Sequence, residues 1–183
     1  ADVTSEPLGA RFVVGLPVDG AGVTPTGDTE ILHASCVAVD GRALLITGPS
    51  GAGKSALALQ LMALGARLVS DDWTAVQVVP GGLVARCPAP AIRGLIEARG
   101  LGLLRADPLD MAQVALVADL SQDEDQRLPP HRAITILGCS LPLVLRVQND
   151  HFTAALMLIF GVDGKAEGRM TADPTQEHRL VLI

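Results

Sequence analysis

The apolar positions of the chain form short, closely spaced runs from Ile31 onward, and the residues before Ile31 lack such a pattern. Residues 1–30 are rich in Gly, Pro, Thr and Asp, and within them only the segment RFVVGLPV resembles a strand. This composition is typical of a chain terminus with few packing contacts. We therefore expect a partly ordered N-terminal arm over residues 1–30 and one folded domain over residues 31–183.

The first half of the predicted domain contains strands joined by tight turns, with one helix among them. HASCVAV alternates in polarity, Asp40-Gly41 is a hairpin turn signal, and RALLIT is a continuous apolar strand. KSALALQLMALG is typical of a helix that ends at Gly65 in a left-handed cap, and ARLVS is the next strand. TAVQVV and LVARC predict a second hairpin around Pro80-Gly81-Gly82.

The second half of the domain is less regular. APAIRGLIEARGLGLLR has several glycines and predicts a short helix that breaks into a loop. QVALVADL predicts a strand, SQDEDQRLPPHR a mobile polar loop, and AITILGCSLPLVLRV one or two strands. DHFTAALMLIFG predicts a buried helix and HRLVLI a final strand. Strands interspersed with helices indicate the α/β class.

The segment GPSGAGKS matches the phosphate-binding loop (P-loop, Walker A) pattern G-x-x-x-x-G-K-[ST], between a predicted strand and a predicted helix. Its glycines let backbone N–H groups approach phosphate oxygens, and the helix N-terminus adds partial positive charge. In this pattern Lys54 reaches the β- and γ-phosphates, and the Ser55 hydroxyl binds Mg²⁺. We therefore expect a site for ATP or a polyphosphate. The predicted ligand-binding residues are Gly48, Pro49, Ser50, Gly51, Ala52, Gly53, Lys54 and Ser55.

Two adjacent aspartates, Asp71 and Asp72, close the strand that follows the P-loop helix. In α/β sheets the carboxyl ends of the strands carry the ligand, and a right-handed crossover brings this strand near the loop. Because successive strand residues point to opposite sides, we expect one aspartate to orient Mg²⁺ or its water and the other to accept a proton. The alternative is that the two aspartates belong to a solvent-exposed turn after the strand and have no role in a site. Glu97, with Arg99 beside it, is a candidate third carboxylate for the metal or else a surface charge.

Composition excludes several function classes. The chain has a net charge of −6 and only 2% aromatic residues, and therefore lacks the cationic surface and stacking platforms that nucleic acid requires. Cys36, Cys87 and Cys139 form no disulfide or metal-ligand pattern, so we expect reduced thiols in a cytoplasmic protein. No signal-peptide pattern opens the sequence, and the longest apolar run, residues 154–160, is too short to cross a membrane.

Several of these stretches, taken in order, resemble the C-terminal catalytic domain of bacterial HPr kinase/phosphorylase. HASCVAVDG is similar to the family's first strand with its catalytic histidine, and LLITGPSGAGKSALALQLMALGARLVSDD to its P-loop, helix and paired aspartates. IEARGLGLL resembles its signature E-I-R-G-L-G, and QRLP falls where the family carries D-R-L-G. The resemblance covers residues 33–149. It implies the variant P-loop fold that this family shares with phosphoenolpyruvate carboxykinase, with residues 31–183 as the catalytic domain.

The resemblance also implies roles for individual residues. His33 would match the histidine near the phosphates, and Asp71 would be its neighbour in the site. Asp72 would match the general base of phosphorylation, which acts as the acid in the reverse reaction. Glu97 would be the second Mg²⁺ ligand besides the P-loop serine, and Arg127 would match the arginine that contacts the transferred phosphate.

The implied activity is that of an ATP- and Mg²⁺-dependent serine/threonine-protein kinase acting on an HPr-like phosphocarrier of the phosphotransferase system. The same site would act as a phosphorylase, in which phosphate is the attacking ligand and pyrophosphate the product. The family further implies a homohexamer. The residues before His33 are too few for the N-terminal domain of longer members, so the chain resembles the short form of some Gram-negative bacteria.

The chain differs from the family pattern at several positions: Pro49 stands where aspartate is usual, Ala98 replaces isoleucine, and Pro129 replaces glycine after Arg127-Leu128. Two other functions therefore stay open. One is a small-molecule P-loop kinase, in which SQDEDQRLPPHR would be an arginine-bearing lid. The other is a nucleotide-sensing module without transfer activity, which the altered residues around Arg127 favour.

Overall fold

The computed structural model describes residues 27–161, and the fold is given for these residues. They form eleven strands and two α-helices, with a short 3-10 helix at Pro90–Ile92. The strands are β1 (Thr29–Leu32), β2 (Ser35–Val39), β3 (Arg42–Thr47), β4 (Arg67–Ser70), β5 (Thr74–Val79), β6 (Gly82–Arg86), β7 (Leu95–Ala98), β8 (Gly102–Arg105), β9 (Met111–Asp123), β10 (Arg132–Ile136) and β11 (Cys139–Arg146). The helices are α1 (Lys54–Ala63) and α2 (Phe152–Gly161).

Nine of the strands form one mixed sheet, with the order β1-β5-β6-β9-β3-β2-β4 and the pair β10-β11 attached through β9. The long strand β9 lies parallel to β3 along one edge. Along its other edge it pairs first with β6, antiparallel, and then with β11, parallel. Because two strands share that edge, the sheet curls. The α/β prediction is confirmed, and the relation to phosphoenolpyruvate carboxykinase stays a prediction.

The two faces of the sheet carry separate apolar clusters. Alternate residues of β3 show this: Leu45 belongs to one cluster, whereas Leu44 and Ile46 belong to the other. The first cluster lies on the face opposite α1 and α2 and includes residues of β10 and β11. The second is covered by α1 and α2, which contribute buried residues such as Leu61 and Phe160. The P-loop helix is thus fixed to the sheet by its apolar face.

The turns that depend on local sequence agree with the predictions. Asp40 and Gly41 both have positive φ, 49° and 79°, as a two-residue hairpin turn requires, and β2 pairs with β3 across them. Gly65, with φ 108°, ends α1. The N–H groups of Gly65 and Ala66 donate to the carbonyls of Met62 and Leu61, which is the Schellman arrangement. The hairpin of β5 and β6 also forms where it was predicted.

The prediction for residues 89–105 was wrong in kind. Apart from the 3-10 turn, this segment is a separate two-stranded hairpin, β7–β8. Gly94, Gly100 and Gly102 have φ of 74°, 85° and 118°, which an α-helix does not accommodate. The hairpin is held in place because Ile96 and Ala98 are buried, and β7 packs against α1.

The polar segment after β9 is shorter than predicted, because β9 continues to Asp123. The segment AITILGCSLPLVLRV forms two strands, joined by a turn at Leu137-Gly138. RFVVGLPV and HRLVLI lie outside the described residues. All three cysteines are free thiols, and burial raises the pKa of Cys36 far above its ordinary value. None of the helices within residues 27–161 is long and apolar enough to cross a membrane.

Candidate functional site

The P-loop connects β3 to α1 and contains two glycines whose conformation is required. Gly48 has φ 137°, and a Cβ at this position would lie 3.2 Å from the Cβ of Leu120. Gly53, the N-cap residue of α1, has φ 96°. A side chain at either position would be strained by the backbone conformation. The glycines of the sequence pattern therefore form a tight loop that leads directly into the helix.

The N-terminus of α1 is open to an anion. Gly53 has no side chain to cap the helix, and the first turn contains no acidic residue. The first N–H groups of a helix have no partner within the helix, and together with the helix dipole they attract phosphate oxygens. The backbone N–H groups of the loop and of the first helical turn are therefore available to a ligand, because no side chain caps this end of the helix.

Lys54 is the first residue of α1 and is almost fully buried, with 6% of its surface exposed. Its ammonium group donates hydrogen bonds to the main-chain carbonyls of Gly48, at 3.0 Å, and Pro49, at 3.1 Å. Burial lowers the pKa of Lys54 from its ordinary value, and the nearby carboxylates of Asp72 and Asp71 act in the opposite sense. The cation is thus held against the loop that would bind phosphate.

Asp71 lies at the end of β4 and is buried, with 7% of its surface exposed. Its carboxylate accepts three hydrogen bonds. Oδ1 accepts from the hydroxyls of Ser35, at 2.6 Å, and Ser55, at 2.9 Å. Oδ2 accepts from the backbone N–H of Glu97, at 3.1 Å. Asp71 thereby connects β2, the P-loop helix and the β7–β8 hairpin.

Asp72 is oriented differently from Asp71 because the backbone turns between them. Asp72 has φ 66°, a left-handed conformation that aspartate adopts more readily than most residues, and the N–H of Trp73 donates to the carbonyl of Asp71 at 2.7 Å. The Asp72 side chain is 70% exposed, and its Oδ1 lies 3.1 Å from Nε2 of His33. The His33 ring also contacts the Trp73 ring, with centroids 5.2 Å apart. The two carboxylates therefore differ in orientation because of this turn and not, as expected, because of alternation along a strand, since β4 ends at Ser70.

A cavity of about 380 Å³ lies between the P-loop, the β7–β8 hairpin and the loop that carries His33. Polar and charged side chains from all three segments face it, and its two cationic side chains are Lys54 and Arg99. Its lining residues are His33, Ser50, Gly51, Gly53, Lys54, Ser55, Ala56, Leu59, Asp72, Glu97, Ala98, Arg99 and Leu101.

Most of the predicted site residues therefore meet in one place. His33, Lys54, Ser55, Asp72 and Glu97 line the cavity together with three other P-loop residues. Asp71 does not line the cavity and lies behind it, hydrogen-bonded to Ser55. The structure thus places the two aspartates in different layers of the same site.

Arg127 is not brought to this cavity. It is exposed, in the connection between β9 and β10. Pro129 and Pro130 of the same connection line a different cavity of about 180 Å³, with residues of β11 and α2. In this conformation Arg127 therefore does not contact the P-loop site.

Two residues of the site were given no role from the sequence, although Arg99 was noted beside Glu97. Arg99 lies two positions after Glu97 at the tip of the β7–β8 hairpin, and the prediction of a broken helix gave no reason to orient it toward the phosphates. Ser35 lies two positions after His33 on β2, and its contact with Asp71 depends on how β2 pairs with β4. Each of the two residues lies two positions after a predicted site residue, and residues two apart on a strand face the same side of the sheet. This spacing is the one signal in the sequence that could have indicated them.

The donor set of the cavity fits a magnesium–nucleotide complex and does not fit a metal held by protein alone. Ser55, Asp72 and Glu97 supply oxygen atoms to the same cavity. Among residues 27–161, no cluster of three or more His, Cys, Asp or Glu side chains could hold a metal ion. Mg²⁺ usually binds through one or two protein groups together with substrate phosphates and water. Such a complex needs no closed cage of side chains.

Comparison with known proteins agrees with this geometry. Residues 26–114 match the family model described as the HPr Serine kinase C-terminal domain. This range includes His33, the P-loop, both aspartates and Glu97, and it ends before Arg127.

Several curated relatives have the same family name. The HPr kinase/phosphorylase of Clostridium beijerinckii is 38% identical over 100 residues, which is 55% of this chain and 31% of the relative. That of Bordetella petrii is 39% identical over 114 residues, 55% of this chain and 36% of the relative. That of Aromatoleum aromaticum is 39% identical over 131 residues, 61% of this chain and 42% of the relative. The chain thus spans less than half the length of each of these relatives.

A solved structure is similar over a larger share of its length. The structure of the Hpr(Ser) kinase/phosphatase from Coxiella burnetii superimposes with a TM-score of 0.60 and 25% sequence identity. The match covers 69% of this chain and 91% of that chain. The sequence match, the relatives and the shared fold agree: residues 26–114 of this chain belong to the HPr serine kinase C-terminal domain family.

Proposed function

We propose that the protein is an ATP-dependent protein-serine kinase and phosphate-dependent phosphorylase that acts on an HPr-like phosphocarrier protein. One observation carries the proposal: an exposed carboxylate, Asp72, faces the same cavity as the phosphate-binding residues Lys54 and Ser55. The cavity is open to solvent. This juxtaposition supplies a proton acceptor next to a bound triphosphate, which phosphoryl transfer to a hydroxyl requires.

In the forward reaction the backbone donors of the P-loop and the ammonium of Lys54 would hold the β- and γ-phosphates. The carboxylate of Asp72 would accept the proton of the serine hydroxyl as its oxygen attacks the γ-phosphorus, and the bond from that phosphorus to the β-γ bridging oxygen would break. His33, 3.1 Å from Asp72, would orient the carboxylate. Mg²⁺ bound to Ser55 and Glu97 would neutralise phosphate charge.

In the reverse reaction the same groups would act in the opposite order. Inorganic phosphate, bound by the P-loop where the β-phosphate of ATP lies, would attack the phosphorus of phosphoserine. The bond from phosphorus to the serine oxygen would break, and protonated Asp72 would return a proton to that oxygen. The product would be pyrophosphate. Because the P-loop binds phosphate through backbone groups, this step does not require a nucleoside.

The forward activity can be tested with labelled ATP, Mg²⁺ and the host's HPr-type proteins, followed by mapping of the modified residue. We expect one modified serine in a carrier protein and no labelling with Lys54→Ala. Transfer to a metabolite panel, without transfer to any carrier, would show that the protein is a small-molecule kinase.

The reverse activity can be tested with phosphorylated carrier and Mg²⁺, with and without inorganic phosphate. Dephosphorylation should depend on added phosphate and should yield one pyrophosphate for each phosphoserine lost. Loss of phosphoserine without added phosphate, or without pyrophosphate, would show that the protein is a kinase or hydrolase only.

A second candidate function has one observation in its favour. Arg127, which the resemblance assigns to the transferred phosphate, does not line the cavity. A protein that binds ATP without transferring phosphate would need no such arginine, and would be a nucleotide-sensing module. Tight ATP binding with no transfer to any HPr-type protein would support this function over the first. No comparable observation favours a small-molecule kinase, because the segment predicted as its lid does not line the cavity either.

A further inference from the structure

The side chains of the two aspartates are fixed by a short segment that precedes them in the sequence, with separations of 36 and 39 residues between the contacting pairs. Residues 33–35, which lead into β2, run beside residues 71–74, which follow β4. Three polar contacts join the two segments: His33 Nε2 to Asp72 Oδ1 at 3.1 Å, Ser35 Oγ to Asp71 Oδ1 at 2.6 Å, and Thr74 Oγ1 to the carbonyl of Ala34 at 2.7 Å. His33 and Ser35 thus hold one aspartate each.

Ser35 is unusual for its position in the sheet. It has no exposed surface and begins a strand whose next residues, Cys36 and Val37, are apolar and fully buried. A buried hydroxyl requires a hydrogen-bond partner, and this one donates to a carboxylate at 2.6 Å, a distance typical of a charge-assisted bond. A small apolar residue would satisfy the packing of β2, so the hydroxyl itself needs an explanation.

We propose that Ser35 is a positioning residue for the metal–nucleotide site, acting through Asp71 on the hydroxyl of Ser55. Asp71 Oδ1 accepts from both serines, and Oδ2 accepts from the Glu97 N–H, so its carboxylate plane is fixed by three donors. With its proton directed to Asp71, the Ser55 hydroxyl presents its oxygen lone pairs away from Asp71, toward the cavity that it lines. This is the orientation in which a hydroxyl can bind a cation.

Removal of the Ser35 hydroxyl leaves Oδ1 with Ser55 as its one remaining partner among the contacts described. The Ser55 hydroxyl and the Glu97 N–H then hold the carboxylate without its shortest hydrogen bond, so its plane is less firmly fixed and the acceptor of the Ser55 proton is less well positioned. Asp71 is one contact removed from the metal ligand Ser55, and loss of such a partner typically changes metal affinity by about 10- to 100-fold; Ser35 lies one contact further out, so we expect its loss to act at the lower end of this range. The inference rests on the magnesium–nucleotide part of the proposed function and does not depend on the acceptor protein.

The test compares Ser35→Ala with Thr74→Val. Both substitutions remove one fully buried hydroxyl and its hydrogen bond from the same pair of segments, and Thr74→Val preserves every contact of Asp71. Calorimetry gives the dissociation constant of the non-hydrolysable analogue AMP-PNP with saturating Mg²⁺ and again with EDTA. The ratio of the two constants is the gain in affinity due to the metal, and thermal unfolding reports the structural effect of each substitution.

We expect both variants to unfold at lower temperature than the wild type and to bind AMP-PNP normally in EDTA. Ser35→Ala should lose about 10-fold of the magnesium-dependent gain, and Thr74→Val should retain it. The inference would be overturned by any of three results: Ser35→Ala keeps the full magnesium-dependent gain in affinity, both variants lose this gain equally, or the wild type shows no such gain. A wild type that shows the gain but phosphorylates no carrier would refute the proposed function and leave the role of Ser35 intact.

Discussion

Lys54 is predicted to serve nucleotide binding at the expense of the stability of the ligand-free protein. Lys54→Met replaces the ammonium with an uncharged side chain of similar length. Burial lowers the pKa of Lys54, which means that the folded state disfavours the charged form more than the two carbonyl contacts and the nearby aspartates favour it. Wherever the lysine is protonated in both states, its charge destabilises the fold relative to the neutral form.

The expected magnitudes follow from these contacts. The ammonium donates two hydrogen bonds, each contributing about 1.5–3 kcal/mol because the donor is charged, and the burial of the charge more than offsets them. We therefore expect the free energy of unfolding of Lys54→Met to equal that of the wild type or to exceed it by up to about 1 kcal/mol. In the complex, the same group would bond to charged phosphate, where such a bond contributes about 1.5–3 kcal/mol, so nucleotide affinity should fall by about 10- to 100-fold.

Urea denaturation and calorimetric titration with ATP and Mg²⁺ measure the two quantities. Arg67→Met is the matched control, because Arg67 is half-exposed in a surface ion pair with Asp107 and such pairs contribute little. The free energy of unfolding of the wild type, relative to that of Lys54→Met, should also rise with pH. The rise should occur between the lowered pKa of Lys54 in the folded state and its ordinary value of 10.5, because in this range the unfolded chain binds the lysine proton more than the folded chain does. A loss of more than about 2 kcal/mol in Lys54→Met, or unchanged nucleotide affinity, would refute the reasoning.

Three further predictions concern the remaining charged groups. Asp72→Asn should reduce transfer to serine by about 10²- to 10⁴-fold and leave ATP binding intact. If Asp71→Asn were the inactive variant and Asp72→Asn active, the two roles would be exchanged. Glu97→Gln should raise the Mg²⁺ concentration for half-maximal activity in both directions, and an unchanged metal titration would show that Glu97 is only a surface charge. Arg99→Ala should weaken ATP binding more than Arg127→Ala, because only Arg99 lines the cavity, and equal effects in calorimetry would contradict this.

The parts of the fold that follow from short stretches of sequence could be predicted. The turn at Asp40-Gly41 and the end of α1 at Gly65 each require positive φ. Glycine and aspartate adopt positive φ more readily than most residues, so both features can be recognised from a few residues of sequence. The β7–β8 hairpin could not be predicted in the same way. Its glycines obscure any periodicity, and its stability comes from Ile96 and Ala98 packing against α1, more than thirty residues away in sequence. Periodicity does not report contacts of that kind.

The candidate site also has one part that could be predicted from the sequence and one part that could not. The P-loop is one contiguous segment, so its residues, including Lys54 and Ser55, could be identified from their spacing. Ser35 and Asp71 are 36 positions apart, and their contact requires the register in which Cys36 pairs with Ser70. Nothing in the order of residues fixes that register. Arg127 shows the opposite case, since a short sequence match outside the family range placed it in a site that it does not contact.

The different environments of the paired aspartates limit what each can do. Both oxygens of Asp71 already accept hydrogen bonds, and the side chain does not face the cavity, so an incoming hydroxyl cannot reach it. Asp72 is 70% exposed, faces the cavity, and has one described polar partner, His33, so the hydroxyl of an acceptor can approach its free oxygen. The left-handed turn at Asp72 accompanies this division, because β4 ends at Ser70 and the two aspartates do not continue the strand. Access, and not chemical identity, therefore favours Asp72 over Asp71 as the proton acceptor in the proposed reaction, and the bond from Ser55 to Asp71 suits the proposed role of Asp71 in orienting the P-loop serine.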